Sequence, residues 1–352
     1  MTEFPEYDDV GSFPLPVNID KDTHNKFYWI AYRALFNNQN IFENKGIALH
    51  FINPINESLQ LKINAGVEVI NFPQLMDMHT QFLRPINDFE IEPGLVDNNK
   101  AFIAEIPVIH EFAKRFFEEN GRAIKIKLCV TGPLELYFRR LGFTVYLDMA
   151  LNFSKSVNRF LKNSILNNKY IQTDLISIDE PSLGYVDIFN VNDDEIIKIY
   201  EKSLEGVKTN EITSQIHIHT LNRADIPLNA KNIDVITCEY ASNKLNKISK
   251  NLLDEHDKFI RVGITRTNVD NLIAEAIDTG KKWDFLKTNE GMRSLIDPKE
   301  RIQKNLNDAI QMYGNRLKYI GPDCGLGGWR IPEIAFELLQ RTHSVIESFK
   351  KL

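Results

Sequence analysis

Along the chain, short apolar runs that stop at polar or turn residues alternate with longer stretches whose apolar positions recur at helical spacing. The runs are Asp9–Phe13, Val67–Asn71, Ile124–Thr131, Leu175–Glu180, Gln215–Thr220, Asp234–Tyr240, Phe259–Thr265 and Leu317–Cys324. The helical patterns between them include Asp193–Val207, Asn268–Thr279, Pro298–Gly314 and Pro332–Phe349. Strands alternating with helices indicate βαβ units on a parallel sheet. Eight such units predict a closed (β/α)8 barrel, the TIM-barrel architecture, in the α/β class. Most runs are almost continuously apolar, as suits strands covered on both faces. Ile124–Thr131, with Lys125 and Lys127, is the exception.

Two stretches break the repeat. Residues 88–109 read as an inserted β-hairpin, with Phe89-Glu90-Ile91-Glu92 and Phe102–Ile106 flanking a Gly- and Asn-containing turn. Lys282–Asp297 reads as an irregular excursion before the helix Pro298–Gly314. Insertions of this kind sit over barrel mouths and shape the pocket. The whole chain, 1–352, is read as one catalytic domain.

Composition narrows the function classes. With 43% hydrophobic and 26% charged residues, the 352-residue chain can bury a large core. A net charge of −6 without a basic stripe argues against nucleic acid as a partner. No run of about eighteen apolar residues is present, and Met1 to Asp9 is acidic, so neither membrane span nor secretory leader is expected. Three cysteines far apart, Cys129, Cys238 and Cys324, form no disulfide framework. A reducing, cytoplasmic setting is the expectation.

In an α/β barrel, chemistry gathers at the C-terminal ends of the strands. Those ends read Gly11-Ser12-Phe13-Pro14, Thr131-Gly132-Pro133, Asp179-Glu180-Pro181, His217-Ile218-His219, Cys238-Glu239 and Pro322-Asp323-Cys324-Gly325. His217 and His219, two apart on a strand, point to the same face. Glu239 and Cys324 end two other strands, so both can converge on the same mouth. Two imidazoles, a carboxylate and a thiolate complete a tetrahedral zinc set, and the thiolate favours zinc over magnesium or calcium. Each residue has a plainer reading alone: Cys324 as a small buried side chain, Asp179-Glu180 as anions at a helix N-terminus. Their co-location carries the argument.

Taken together, these segments resemble the catalytic barrel of cobalamin-independent methionine synthase, in its short stand-alone form, over essentially the whole chain. Pro322-Asp323-Cys324-Gly325-Leu326, followed by Trp329 and Pro332-Glu333, is the most specific piece, and Gly11-Ser12-Phe13-Pro14 the next. The resemblance implies a zinc-dependent methyl or alkyl transferase that makes a small thiol such as homocysteine nucleophilic. His217, Glu239 and Cys324 become zinc ligands, and His219 stands where the family has a cysteine. A second register puts His219 at the family's histidine and Leu221 at its cysteine, leaving three protein ligands. The first completes the shell and matches Asn222 downstream. Ser12 and Asp179 fall where the family holds the amino-acid part of homocysteine, and Glu239 becomes the ligand that yields to substrate. Phe72-Pro73-Gln74 stands where the family carries a glutamate to the substrate amine, so Gln74 is assigned to substrate without that charge. Arg266, in Gly263–Thr267, is assigned by position to a carboxylate or sulfonate, and that segment lacks the family's acid and histidine for protonating a folate donor. The implied methyl donor is a methylated pterin or a corrinoid protein. The competing readings are a metal-independent, uroporphyrinogen-decarboxylase-like lyase and a non-catalytic homologue that binds a thiol or a corrinoid partner.

Overall fold

A computed structural model describes residues 4–185, 190–207, 209 and 211–351. Its main sheet has eight strands: β1 (Glu6–Tyr7), β2 (Val69–Asn71), β3 (Ile124–Thr131), β4 (Ile171–Asp179), β5 (Thr213–His217), β6 (Val235–Cys238), β7 (Phe259–Thr265) and β8 (Leu317–Pro322). Every pairing is parallel, in the order β1-β8-β7-β6-β5-β4-β3-β2. The two ends of that order meet where Asp8 bridges Val69 and the Glu68 N–H donates to the Tyr7 carbonyl at 2.9 Å. The result is the expected barrel, nearly closed. Helices return outside it, and several start on side-chain caps: Asp20, Asp77, Asn192 and Asn268 accept from Thr23, Thr80, Glu195 and Asn271.

The barrel interior is layered by strand parity. Val69, Leu175, Val235 and Tyr319 form a separate apolar cluster, one residue from each even-numbered strand. The odd-numbered side supplies charge instead. Arg261 on β7 donates from Nε to Asp8 Oδ1 at 2.6 Å, and Lys127 on β3 donates to Asp8 Oδ2 at 2.6 Å. All three side chains are buried. A second buried pair, Lys62 with Asp9 at 2.6 Å, stands beside it. Polar residues in β3, the sequence exception, are thus explained: Lys127 faces a carboxylate inside the barrel.

Differences from the expected elements have local causes. The first strand is Glu6–Tyr7, not Asp9–Phe13, because the Asp9 carboxylate takes the Asn71 N–H at 2.7 Å and displaces a ladder bond. Only the isolated bridge between Ser12 and Gln74 continues that pairing. The hairpin exists, but Glu90–Glu92 pairs antiparallel with Leu95–Val96. Phe102–Ile106 is not a strand: Pro107 opens the helix Ile106–Asn120, and Phe102 stacks on Tyr32 at 4.4 Å. The excursion at Lys282–Asp297 contains two short helices, Trp283–Leu286 and Asn289–Arg293. No helix among the described residues is long and apolar enough to cross a membrane.

One buried acid makes a pH test. Glu105, 1% exposed, accepts from Gln81 Nε2 at 3.1 and 3.3 Å. Burial raises its pKa from 4.5 to about 8. A carboxyl with a raised folded pKa stabilises fully below its unfolded value and loses that contribution as pH rises through about 8. Glu105→Gln is therefore expected to unfold at a higher temperature than wild type at pH 9, with the gap closing toward pH 5. A gap independent of pH in thermal melts would contradict this assignment.

Candidate metal centre

His217 is the last residue of β5 and faces Asp179 of β4 across the ladder. The Glu180 N–H donates to the His217 carbonyl at 2.9 Å. Beyond His217 the ladder stops, and side chains take over the pairing. Thr237 Oγ1 accepts from the Ile218 N–H at 2.9 Å. The backbone stays extended enough for His219 to join His217 on one side, their rings 5.5 Å apart. Glu239 follows β6 and Cys324 follows β8. Asp323 anchors the loop after Glu239, accepting from the Ala241 and Ser242 N–H groups at 3.0 and 2.7 Å. Gly263 is required beneath it, since a Cβ there would lie 2.0 Å from Asp323 Oδ1.

These segments bring one donor atom from each of His217, His219, Glu239 and Cys324 within 4.8 Å of one another. Cys324 Sγ lies 3.6 Å from His217 Nε2 and 3.9 Å from His219 Nε2. Glu239 Oε1 lies 3.9 Å from His217 Nε2 and 3.7 Å from His219 Nε2. The imidazole–carboxylate pairs are too far apart for hydrogen bonds. Tetrahedral coordination at zinc bond lengths separates neighbouring donors by about 3.3–3.6 Å. The four separations above, 3.6–3.9 Å, exceed those edges by no more than about 0.6 Å, and all four donor atoms fall within 4.8 Å of one another, so the residues present fit zinc after small side-chain shifts. Both sequence registers for His219 leave it available, and the geometry brings it into the cluster.

The electrostatics say the same. Burial pushes the Cys324 thiol well above its usual range, with Glu239 and Asp179 adding to the rise. Burial and Asp323 raise the Glu239 carboxyl to about 8. Burial, then His219, Arg261 and Lys127, drive the His217 imidazole well below its ordinary value. A neutral imidazole is ready to ligate, whereas thiol and carboxyl gain a reason to ionise only when a cation arrives.

Beside the cluster opens a pocket of about 430 Å³, lined by His219, Cys324, Ser12, Gln74 and Asp179 among others. Three of the expected substrate residues therefore share one cavity with two of the ligands. Asp179 Oδ1 is buried without a hydrogen-bond partner, and burial with the nearby Glu135 raises the carboxyl to about 7. Ser12 Oγ accepts from the Gly327 N–H at 3.2 Å, and Gly325 is needed because a Cβ there would lie 2.1 Å from that oxygen. Phe72 is fully buried in the core and supplies nothing to the pocket. Arg266 does not line it: Asp297 holds its Nε and Nη2 at 2.9 and 2.8 Å, and Glu275 its Nη1 at 2.6 Å. The pocket cation is Lys21, which the strand-end reading missed because it sits on a helix, one residue after the cap Asp20.

Fold and cluster define a class: a parallel α/β barrel whose C-terminal mouth assembles nitrogen, oxygen and sulfur donors suited to a thiophilic cation. No family model matches the chain. In sequence it is similar to the methionine synthase of Methanocaldococcus jannaschii, 25% identical over 287 residues, 77% of this chain and 81% of that protein. In structure it is similar to a B12-independent methionine synthase from Shewanella sp. W3-18-1, solved in complex with selenomethionine. The TM-score is 0.59 at 16% identity, covering 99% of this chain and 98% of the other. A methyltransferase from Methanosarcina mazei aligns at a TM-score of 0.48 with 14% identity, over 97% of this chain and 94% of that one, too weak a likeness to carry an argument. The chain is thus similar in sequence to a methionine synthase and shares the barrel fold of a B12-independent one.

Proposed function

We propose that this chain is a zinc-dependent methyltransferase that alkylates the sulfur of a small thiol, in the manner of methionine synthase. The observation that carries the reading is the convergence of the donor atoms of His217, His219, Glu239 and Cys324, all within 4.8 Å of one another, beside a pocket. These four residues would hold a zinc ion, with Glu239 the ligand that yields to substrate, and the metal would supply the Lewis acidity that makes a substrate thiol nucleophilic at neutral pH. Asp179, with its unpartnered Oδ1, receives an amine on the acceptor. Ser12 and Gln74 orient the acceptor's polar end, which raises its effective concentration at the reacting point. Leu75, Met76 and Met78 give the pocket an apolar wall for the alkyl chain. In the transfer, a sulfur lone pair forms the new S–C bond, the donor leaves with the electrons of its bond to methyl, and the thiol proton passes to water.

The acceptor is expected to be an amino thiol such as homocysteine, and the donor a methylated pterin or a corrinoid, in a cytoplasmic setting. Zinc-loaded protein supplied with a methylated pterin or methylcobalamin is tested against homocysteine, coenzyme M and simple thiols, with products read by mass spectrometry. The reading expects an S-methyl product, with Asp179→Asn raising KM for amino thiols and leaving amine-free thiols unchanged. Failure of every donor and acceptor pair to give product would contradict it.

A further inference from the structure

The ligand that the barrel alone does not secure is His219. Its side chain is 37% exposed, against 1% for His217, and it lies two residues beyond the end of β5. With no neighbouring strand to pair with, an extended segment there needs substitutes for ladder hydrogen bonds. Thr237 provides one for Ile218. Those for His219 and Leu221 come from a single side chain, Asn246, in the loop between β6 and the helix Lys250–Glu255.

Asn246 is only 5% exposed and uses both ends of its amide. Nδ2 donates to the His219 carbonyl at 2.9 Å, and Oδ1 accepts from the Leu221 N–H at 2.8 Å. Its backbone is tied to the segment that carries Glu239. The Cys238 thiol donates to the Asn246 carbonyl, the Asn246 N–H donates to Asn243 at 3.0 Å, and the Asn243 N–H donates to the Glu239 carbonyl at 3.3 Å. One residue thus couples the loop of the exposed imidazole to the loop of the carboxylate. An alanine cannot reproduce this, and an aspartate keeps the acceptor while losing the donor.

We propose that Asn246 is a positioning residue for the metal centre: its side-chain amide holds the His219 segment so that the second imidazole reaches the cluster. The inference rests on the zinc reading above and goes beyond the ligands themselves. Outer partners that orient metal ligands are each worth about 10–100-fold in affinity.

The test measures zinc affinity by chelator competition, and the cobalt(II) absorption spectrum, for wild type, Asn246→Ala, Asn246→Asp, His219→Ala and the double variant His219→Ala/Asn246→Ala. Asn246→Ala is expected to lose about 10–100-fold in affinity and to shift the cobalt bands toward those of His219→Ala. Asn246→Asp, which keeps the Leu221 bond, is expected to lose affinity while melting close to wild type. The double variant should bind no more weakly than His219→Ala, because Asn246 acts through that ligand. Fully additive losses, or an unchanged affinity in both Asn246 variants, overturn the inference while leaving the zinc site standing. A wild-type chain that binds neither zinc nor cobalt removes the zinc reading and this inference with it.

Discussion

Replacing Cys324 with alanine is expected to lower zinc affinity by at least about 100-fold, more than the loss of an outer partner costs, and to abolish alkyl transfer to any thiol. Cys324 Sγ is the one sulfur in the cluster and approaches both imidazole Nε2 atoms, at 3.6 and 3.9 Å. Removing it leaves three donors and takes away the soft ligand that favours zinc over harder cations. Cys129→Ala serves as the control. That cysteine is buried in β3 outside the cluster, so the variant should keep its metal. Zinc content by mass spectrometry together with single-turnover transfer reads both variants. Equal zinc in the two would remove Cys324 from the site.

The second large effect concerns stability. Asp8→Ala is expected to destabilise the fold by about 3–5 kcal/mol, because it strands two buried cations, Lys127 and Arg261. Glu6→Ala, at the start of the same segment, removes an ion pair of the same 2.6 Å length to Lys125. That pair is 45% and 35% exposed, and its loss should cost no more than about 1 kcal/mol. Distance is equal in the two cases, so burial, together with the second cation on Asp8 and the remaining Asp174 partner of Lys125, sets the ranking. Thermal melts of the two variants give the comparison, and equal midpoints would show that the interior pair is not stabilising in the way its burial implies.

Much of this architecture was readable from sequence because strand and helix periods differ. Ile124–Thr131 and Phe259–Thr265 were bounded to the residue, since polar and turn residues flank their apolar runs. The first strand was displaced because its pairing depends on the Asp9 carboxylate, a tertiary contact that periodicity cannot register. Phe102–Ile106 looked like a strand because apolar alternation also suits a coil that packs on Tyr32.

The candidate site was legible for a similar reason. Its chemistry is carried by residue types that are uncommon together at strand ends, and a barrel brings strand ends to one mouth. What sequence could not supply was which polar residues already have partners. Arg266 sits at the end of β7, yet Asp297 and Glu275 hold its guanidinium. Asn246 has no motif to mark it and matters only through its bonds to His219 and Leu221. Lys21 was discoverable in principle, since Asp20 and Thr23 announce a helix start in the loop after β1.

X-ray absorption on zinc-loaded wild-type protein tests the central claim most directly. The account predicts one zinc per chain with a shell of two imidazole nitrogens, one carboxylate oxygen and one sulfur, at about 2.0–2.3 Å. A shell without sulfur, or protein that methylates thiols at full rate after complete removal of metal, would contradict it.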